Sequence, residues 1–360
     1  MHTTPTERAS SGKGRTGGNP FSISSCRCCS GSRKIFFRLF LLPVCLALLF
    51  VYPGNSQAMK PFRIGTGGKT GVYYPVGKLI AMGLTRYAEQ QDHSPLNGFI
   101  GVAQNSAGSI ENAQGIISSE LEAGLVQADI AAAVYRGEGN EKPSPSSSSI
   151  RAIASLYAEK FQIVVRNDAG VRNFFDLTGK SISIDEPGSG TLSVMRIILE
   201  AHGMKETDLD PFYLKPVFTQ DKIEAGRIEG FVMMAGAPME AVTELQATGV
   251  SLVPIEPAVA ARIYRQYPYL FPGTIEADVY PGIPATPTVE VYALLVVNER
   301  MTDETAYALT EMLFSDMTSR LLHDENIQAR AITLDTALNG VSIPLHPGAR
   351  TFYSDRKMIE

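Results

Sequence analysis

Residues 59–360 of this chain contain no cysteine. The chain has four cysteines, Cys26, Cys28, Cys29 and Cys45, and all of them lie within the first 58 residues. The rest of the chain therefore has no thiol that could form a disulfide, hold a zinc ion or act as a nucleophile. We expect no cysteine chemistry in the folded protein.

The N-terminal segment lacks an apolar run long enough for a comfortable membrane span. Its apolar run, 39–52, has 14 residues, whereas a transmembrane helix needs about 20. Three basic residues at positions 33–38 precede the run, and the small residues of Ser56-Gln57-Ala58 follow it. This pattern is typical of a secretory signal peptide. We therefore predict a disordered extension and signal peptide over 1–58, cleavage after Ala58 and a periplasmic location, with an uncleaved signal anchor as the alternative.

An excess of positive charge is also missing. The first 58 residues hold 7 of the 32 Lys and Arg but only 1 of the 37 Asp and Glu. Residues 59–360 therefore carry 25 basic and 36 acidic side chains, a net charge of −11. Nucleic-acid binding needs a basic surface, so we expect no nucleic-acid partner.

The signatures of common catalytic sites are absent as well. The residues two positions before and after Ser189 are Pro187 and Thr191. The Gly-x-Ser-x-Gly turn of a serine hydrolase needs glycine at both positions, so this motif is missing. Gly68-Lys69-Thr70 resembles the end of a phosphate-binding loop, but Arg63 occupies the position of its first glycine. The histidines at 93, 202, 323 and 346 have no metal-ligand spacing. We expect no enzymatic activity, no metal and no cofactor.

What the sequence does contain is an alternation of short apolar runs and segments with helical periodicity. The strand-like runs are 62–65, 99–103, 123–127, 181–184, 212–215, 230–234 and 250–253. The helical segments include 74–91, 109–119 and 190–202. Such alternation predicts an α/β fold with a mostly parallel sheet.

Two further apolar regions suggest that the chain crosses between two lobes and returns. Runs 151–157 and 161–166 lie close together in sequence, and run 289–297 follows a proline-rich passage, 268–287. Thr302 is the expected N-cap of a helix over 302–316. The predicted organisation is lobe 1 at 59–155, lobe 2 at 156–287 and a return to lobe 1 with C-terminal helices at 288–360. Residues 137–149, rich in serine and proline, are predicted to be a surface loop.

Four turns rich in Gly, Ser or Thr lie at junctions between predicted strands and helices. They are 65–74, 105–109, 186–191 and 235–238. In open α/β sheets, ligands bind at the carboxyl ends of strands. Glycine allows close backbone approach, hydroxyls donate, and the N–H groups at a helix start attract anions. None of the turns contains arginine. The four together predict a small anionic solute, a carboxylate in particular, whereas for any single turn plain helix capping is the alternative.

Read in order, these motifs resemble the TAXI family of solute receptors, which serve tripartite ATP-independent periplasmic (TRAP) transporters. The resemblance spans nearly all of residues 59–360. It rests on segments 64–75, 108–112, 124–129, 154–157, 186–191, 235–238 and 344–349.

The resemblance implies a type II periplasmic-binding-protein fold with a mostly parallel sheet in each lobe and a ligand cleft between the lobes. It also implies capture of a carboxylate, such as glutamate or another amino acid, a dicarboxylate or a keto acid, and delivery to a TRAP permease. We expect a monomer. The expected ligand-binding residues are Thr66, Gly67, Gly68, Tyr73, Tyr74, Ser106, Gly108, Ser109, Asn112, Gln127, Asp129, Tyr157, Gly188, Ser189, Thr191, Ala235, Gly236 and Pro238.

Two other classes of function remain compatible with the sequence. The first is a periplasmic sensor that presents a ligand to a membrane kinase. The second is an enzyme built on a binding-protein-like fold, which the lack of a His or Cys cluster disfavours.

Overall fold

The structure, a computed structural model, describes residues 59–69, 71–138, 147–214 and 216–360. The extension and signal peptide predicted over 1–58 lie outside these residues, as does most of the predicted loop 137–149. Within the described part of the chain, no helix is long and apolar enough to cross a membrane. The described residues belong to one compact unit, Gln57–Glu360.

Strands and helices alternate along this unit. The strands are β1 Lys60–Gly65, β2 Phe99–Gln104, β3 Ala123–Gln127, β4 Ile150–Arg166, β5 Ser181–Ser183, β6 Asp210–Phe212, β7 Gly230–Ala235, β8 Val250–Leu252, β9 Phe271–Ile275 and β10 Thr286–Asn298. The helices are α1 Tyr73–Gln90, α2 Ser109–Ile117, α3 Ala128–Tyr135, α4 Gly190–Ala201, α5 Pro216–Glu224, α6 Glu240–Leu245, α7 Pro257–Gln266, α8 Asp303–Leu313, α9 Asp316–Glu325 and α10 Pro347–Asp355.

The strands form a sheet in the order β2-β1-β3-β10-β4-β7-β5-β6, with β8 beside β4 and β9 beside β10. Strand β1 is parallel to β2 and β3, and β5 is parallel to β6 and β7. The long strands β4 and β10 are antiparallel to each other and to their outer neighbours. The sheet is therefore mostly parallel in its two outer parts and antiparallel where they join.

Strands β4 and β10 run through both parts of the sheet. Residues 293–297 of β10 pair with β3, and residues 160–165 of β4 pair with β7. We call the part around β1–β3 the first lobe and the part around β5–β7 the second lobe. Helices α8 and α9 pack against α1 of the first lobe. The two-lobed α/β fold class predicted from the sequence is confirmed, while the exact lobe boundaries stay a prediction.

Each face of the sheet has its own hydrophobic core, because successive side chains of a strand point to opposite faces. Val164 and Leu295 belong to the core that includes α1, and their neighbours Ile163 and Leu294 belong to the core that includes α4. These strands are apolar on both faces and covered on both. The chain thus forms helix, sheet and helix layers.

The structure corrects several predicted elements. The two strands predicted at 151–157 and 161–166 are one strand, β4, and the strand predicted at 212–215 lies earlier, as β6. The proline-rich passage contains β9, which pairs along one side of β10. Thr302 is confirmed as an N-cap, since its hydroxyl accepts a hydrogen bond from the Thr305 amide at 3.2 Å. Helix α8 nevertheless ends at Leu313, because Ser315 caps the next helix.

Candidate functional site

A small cavity lies between the two lobes, where β4 crosses from one to the other. Its volume is about 60 Å³. Both lobes and the crossing strand contribute to its wall. The lining residues are Gly67, Gly68, Gly71, Val72, Tyr73, Ala107, Gly108, Ser109, Gln127, Glu159, Asp185, Glu186, Ser189, Gly190, Thr191, Met233, Met234 and Ala235.

The N-termini of α2 and α4 both reach this cavity, one from each lobe. Helix α2 begins at Ser109, directly after Gly108, which adopts φ 121°, a value that favours glycine. The Ser109 hydroxyl accepts a hydrogen bond from the Gln127 amide at 3.1 Å and so ties α2 to the end of β3. Helix α4 is capped by Ser189, whose hydroxyl accepts from the Leu192 amide at 3.1 Å. Two positive helix ends therefore face the same small space.

The turns before these two helices touch each other across the cleft. A Cβ atom placed on Gly188 would lie 3.7 Å from the Cβ of Ala107, and one placed on Gly108 would lie 3.9 Å from the Cα of Ser189. A Cβ atom on Gly190 would lie only 2.2 Å from Oε1 of Gln127. The two lobes are therefore in contact across the cleft, with glycines where they come closest.

Glu159 supplies a carboxyl group to the cavity from the middle of β4. It is 1% exposed, and its Oε2 accepts a hydrogen bond from the Tyr73 hydroxyl at 3.0 Å. The Tyr73 hydroxyl also lies 3.5 Å from Oγ of Ser109. Burial raises the pKa of Glu159 well above its ordinary range, and the nearby charge of Asp129 raises it further, while the Tyr73 hydrogen bond acts in the opposite direction. Burial also raises the pKa of Tyr73.

Two buried aspartates complete this acidic group. Burial raises the pKa of Asp185 to about 6, although the Glu186 amide and the Thr191 and Ser189 hydroxyls donate to its carboxylate and oppose the shift. Burial raises the pKa of Asp129 to about 7. The cavity therefore contains two carboxyl groups that are costly to ionise, those of Glu159 and Asp185, and Asp129 is buried near Glu159 outside the lining.

Several polar atoms around the cavity have no hydrogen-bond partner among the described residues. They include Oε1 of Gln127, Oδ1 of Asp129 and the hydroxyl of Tyr157, all buried. Buried polar atoms are almost always paired in folded proteins. Of these residues, Gln127 lines the cavity, so its Oε1 is a candidate for contact with a solute.

Half of the residues predicted to bind the ligand line this cavity. They are Gly67, Gly68, Tyr73, Gly108, Ser109, Gln127, Ser189, Thr191 and Ala235. They come from all four of the predicted turns and from the end of β3. Their shared location is a finding, whereas their contact with a ligand stays a prediction.

The other nine predicted residues are not part of the lining. Thr66, Ser106 and Asn112 form a hydrogen-bond network that joins turn 65–74 to turn 105–109 and α2. In it, Ser106 Oγ and Asn112 Nδ2 donate to the Thr66 carbonyl. Asp129 and Tyr157 are buried near Glu159. The remaining four are Tyr74, which is half-buried, Gly188 at the turn contact, and Gly236 and Pro238, which pack against Gln328.

The sequence reasoning missed two acidic residues of the lining, Glu159 and Asp185. Glu159 interrupts an apolar strand at Tyr157-Ala158-Glu159-Lys160-Phe161, and a charged residue inside such a run is a usable signal once the run is taken as one strand. Asp185 immediately precedes the third predicted turn. Lys69 follows the lining residue Gly68, but its side chain is exposed and is not part of the cavity lining.

Three larger depressions lie elsewhere on the described surface. One of about 640 Å³ lies between α3 and α4 and includes Asp129, Arg136 and Arg196. A second of about 570 Å³ lies beside Phe218 of α5, and a third of about 510 Å³ lies on the first lobe beside Tyr87 and Tyr307. None of the three linings includes residues of the four turns, so the small cavity between the lobes is the better candidate despite its size.

Two lobes joined by two crossing strands, with a cavity between helix N-termini, define a periplasmic-binding-protein type of fold. The chain belongs to the NMT1-like family, whose model matches residues 64–356. This is a family of periplasmic solute-binding proteins.

Solved structures with a similar fold come from several bacteria. The periplasmic aliphatic sulphonate binding protein SsuA from Escherichia coli is 12% identical with a TM-score of 0.45, and the match covers 82% of this chain and 83% of that one. A putative phosphate ABC transporter substrate-binding protein from Clostridium perfringens, with bound phosphate, is 12% identical with a TM-score of 0.42, over 74% and 98% of the two chains. The arginine-, lysine-, histidine-binding protein ArtJ from Geobacillus stearothermophilus is 11% identical with a TM-score of 0.44, over 74% and 95%. Similarity at this level says nothing about the ligand of this chain.

Proposed function

We propose that this protein is an extracytoplasmic receptor that binds a small carboxylate and delivers it to a TRAP-type permease. The observation that carries the proposal is the convergence of α2 and α4, one from each lobe, on a single cavity. The first-turn N–H groups of a helix and its dipole together favour an anion. Ser109 and Thr191 place hydroxyl groups in the same lining.

The contact between the turns of the two lobes supports a binding cycle with hinge closure. The solute first contacts one lobe, the turns of the other lobe then close over it, and the permease recognises the closed form. Contact between the turns at Ala107 and Gly188 suits the closed state. A cavity of about 60 Å³ is far smaller than the roughly 300–1,000 Å³ of pockets for drug-sized ligands, so a large solute is disfavoured. We propose an amino acid, a short dicarboxylate or a keto acid.

The TRAP assignment rests on the sequence motifs that resemble the TAXI receptors. The signal peptide predicted over 1–58 fits a periplasmic receptor, and a monomer suffices for this role. Helix N-termini bind other oxyanions as well, so a sulfonate and phosphate are the alternatives to a carboxylate. An ABC-type permease is the corresponding alternative partner.

A thermal-shift screen tests the class of solute. The full chain is unfolded and refolded to remove co-purified solute, and its melting temperature is measured with amino acids, dicarboxylates, 2-oxo acids, alkanesulfonates and phosphate. A ligand present at 100 times its Kd adds about 2.7 kcal/mol of stability. We expect at least one carboxylate to raise the melting temperature. If only sulfonates, phosphate or a neutral compound do so, the carboxylate assignment is wrong.

A further inference from the structure

The cavity that receives the proposed carboxylate is itself acidic. Three of its lining residues, Glu159, Asp185 and Glu186, carry carboxyl groups, and no lysine or arginine is found among the lining residues that the structure describes. Helix N-termini account for an anionic group on the solute, but they do not account for buried carboxyl groups. A solute that is only an anion would meet charge of its own sign.

Glu159 is the most deeply buried of these acids. It lies on the strand that joins the lobes, so it faces the cavity without belonging to either set of turns. A carboxylate offers about four acceptor sites, and the Tyr73 hydroxyl donates to one of them at 3.0 Å. A buried carboxylate with so few donors is expensive unless a positive charge comes close.

The neighbouring unpartnered atoms also need donors. Oε1 of Gln127 and Oδ1 of Asp129 are acceptors without a partner among the described residues. Gln127 lines the same cavity as Glu159, so its Oε1 is the acceptor next to Glu159 in the lining. Asp129 lies outside the lining and acts on Glu159 through its charge, which raises the pKa of Glu159. An ammonium group carries one positive charge and three donors and accepts nothing. It is the chemical complement of this cluster.

We propose that Glu159 is the counter-ion of a protonated amine on the solute, and that the cleft selects amino acids over 2-oxo acids and dicarboxylates. The inference rests on the proposed function, because the helix N-termini hold the carboxylate while Glu159 holds the amine. Glu159 is thus the residue that determines specificity between a zwitterion and a plain anion.

The same cluster predicts that amine binding is linked to proton release. In the empty cleft the raised pKa of Glu159 favours its protonated form, and an arriving ammonium group favours the carboxylate. The titratable groups around Glu159 are Tyr73 on α1, Tyr157 on β4, Asp129 on α3, and Asp185 and Glu186 before α4. An oxo acid brings no ammonium group and gives Glu159 no reason to lose its proton.

Matched pairs of solutes test the inference on the refolded full chain. The pairs are L-glutamate with 2-oxoglutarate, L-alanine with pyruvate, and L-leucine with 4-methyl-2-oxopentanoate, each titrated by calorimetry. We expect at least one amino acid to bind at least tenfold more tightly than its oxo acid. Titration in buffers of different ionisation enthalpy should show proton release with the amino acid and none with the oxo acid.

Two variants separate the role of Glu159 from a general effect. Glu159→Gln keeps the shape and removes the charge, so it should weaken amino-acid binding by about 10- to 100-fold, the value of a charged hydrogen bond, and leave oxo-acid binding within about threefold. Glu290→Gln is the matched control on the adjacent strand. Glu290 pairs with Lys160 at 2.9 Å and lies outside the cavity lining, so this variant should keep the wild-type preference.

Each outcome separates this inference from the proposed function. An oxo acid that binds as tightly as its amino acid, or a preference that Glu159→Gln leaves unchanged, overturns the inference and keeps the carboxylate receptor. If putrescine, an amine without a carboxylate, binds while no amino acid does, the proposed function fails and Glu159 stands as an amine site. If none of these probes binds, the inference is wrong, and the wider carboxylate screen decides the proposed function. The proton-release measurement on the unmodified chain decides the matter if Glu159→Gln does not fold.

Discussion

The raised pKa of Asp185 predicts that part of the pH dependence of stability comes from a single side chain. Asp185 lies directly after β5, is 6% exposed and adopts φ 69°. Asparagine has the same shape and tolerates this left-handed backbone conformation as aspartate does. It also keeps an oxygen that accepts from the Glu186 amide, which lies 2.8 Å from Oδ1 of Asp185. Asp185→Asn therefore removes the ionisation with little other change.

The expected magnitude follows from the difference between the two pKa values. The pKa rises from an ordinary 3.8 to about 6 in the folded protein, so the folded protein binds this proton more tightly than the unfolded chain. Stability from this group is fully present below pH 3.8 and is lost as the pH rises through about 6. At 1.36 kcal/mol per pKa unit, the loss is about 3 kcal/mol.

Urea unfolding of the solute-free chain at pH 4.0 and pH 7.5 measures this loss. The free energy of unfolding of Asp185→Asn, relative to wild type, should rise by about 2.5 kcal/mol between the two pH values, because the unfolded chain has already lost part of this proton at pH 4.0. Asp92→Asn, at an exposed turn, is the control and should follow the wild type. If Asp185→Asn and wild type change in parallel with pH, the buried Asp185 carboxyl does not control stability and the reasoning fails.

Three further variants have expected outcomes. Gly101→Ala would place a Cβ atom 2.1 Å from a backbone oxygen of α1 and should cost about 1–3 kcal/mol or more in urea unfolding; an unchanged midpoint would contradict the packing of α1 on β2. Tyr280→Phe removes the hydroxyl that accepts a hydrogen bond from the Met239 amide at 2.8 Å, and it should lower the free energy of unfolding by about 1–3 kcal/mol in the same assay. An unchanged free energy of unfolding would show that this hydrogen bond does not stabilise the fold. Gly190→Ala should displace the Gln127 side chain and weaken solute binding by at least about tenfold. It should also enlarge the radius of gyration that X-ray scattering measures in the presence of solute. If both quantities keep their wild-type values, the lobes do not close at this point.

Local signals were enough for much of the first lobe. The strand predicted at 123–127 coincides with β3, and the helices predicted at 74–91 and 109–119 differ from α1 and α2 only at their ends. These elements have a clear apolar face and glycine or serine turns at their boundaries, and both features are local. Most helices of the second half, such as α7, were not predicted. Short strands and proline-broken passages interrupt the pattern there.

The joining of the lobes depends on contacts far apart in sequence. Strand β4 looked like two strands because Glu159 and Lys160 interrupt its apolar pattern. Lys160 is paired with Glu290 from β10, 130 positions away, and Glu159 with Tyr73 from α1. No local pattern shows that these polar residues have partners that allow them to remain within a strand.

Contacts between residues far apart in sequence also explain which parts of the site could be predicted from the sequence and which could not. The four turns could be found one by one, and the rule that ligands bind at the carboxyl ends of strands brought them together. That rule concerns turns, so it points to hydroxyls and helix N-termini and hence to an anion. The acidic groups escaped it, because Glu159 comes from the crossing strand and Asp185 from the last position before a turn.

Acidic and anion-binding groups in one cavity are compatible only if they act on different parts of the solute. The helix N-termini of α2 and α4 come from the two lobes and, in the proposed binding cycle, close over the solute from opposite sides, whereas Glu159 lies on the strand that both lobes share. A group held by Glu159 therefore contacts the hinge region, and a group held by the helix ends bridges the lobes. A solute with an amine and a carboxylate makes both contacts at once, so its binding energy goes directly into closure. A plain anion would draw the lobes together but leave Glu159 without a positive partner.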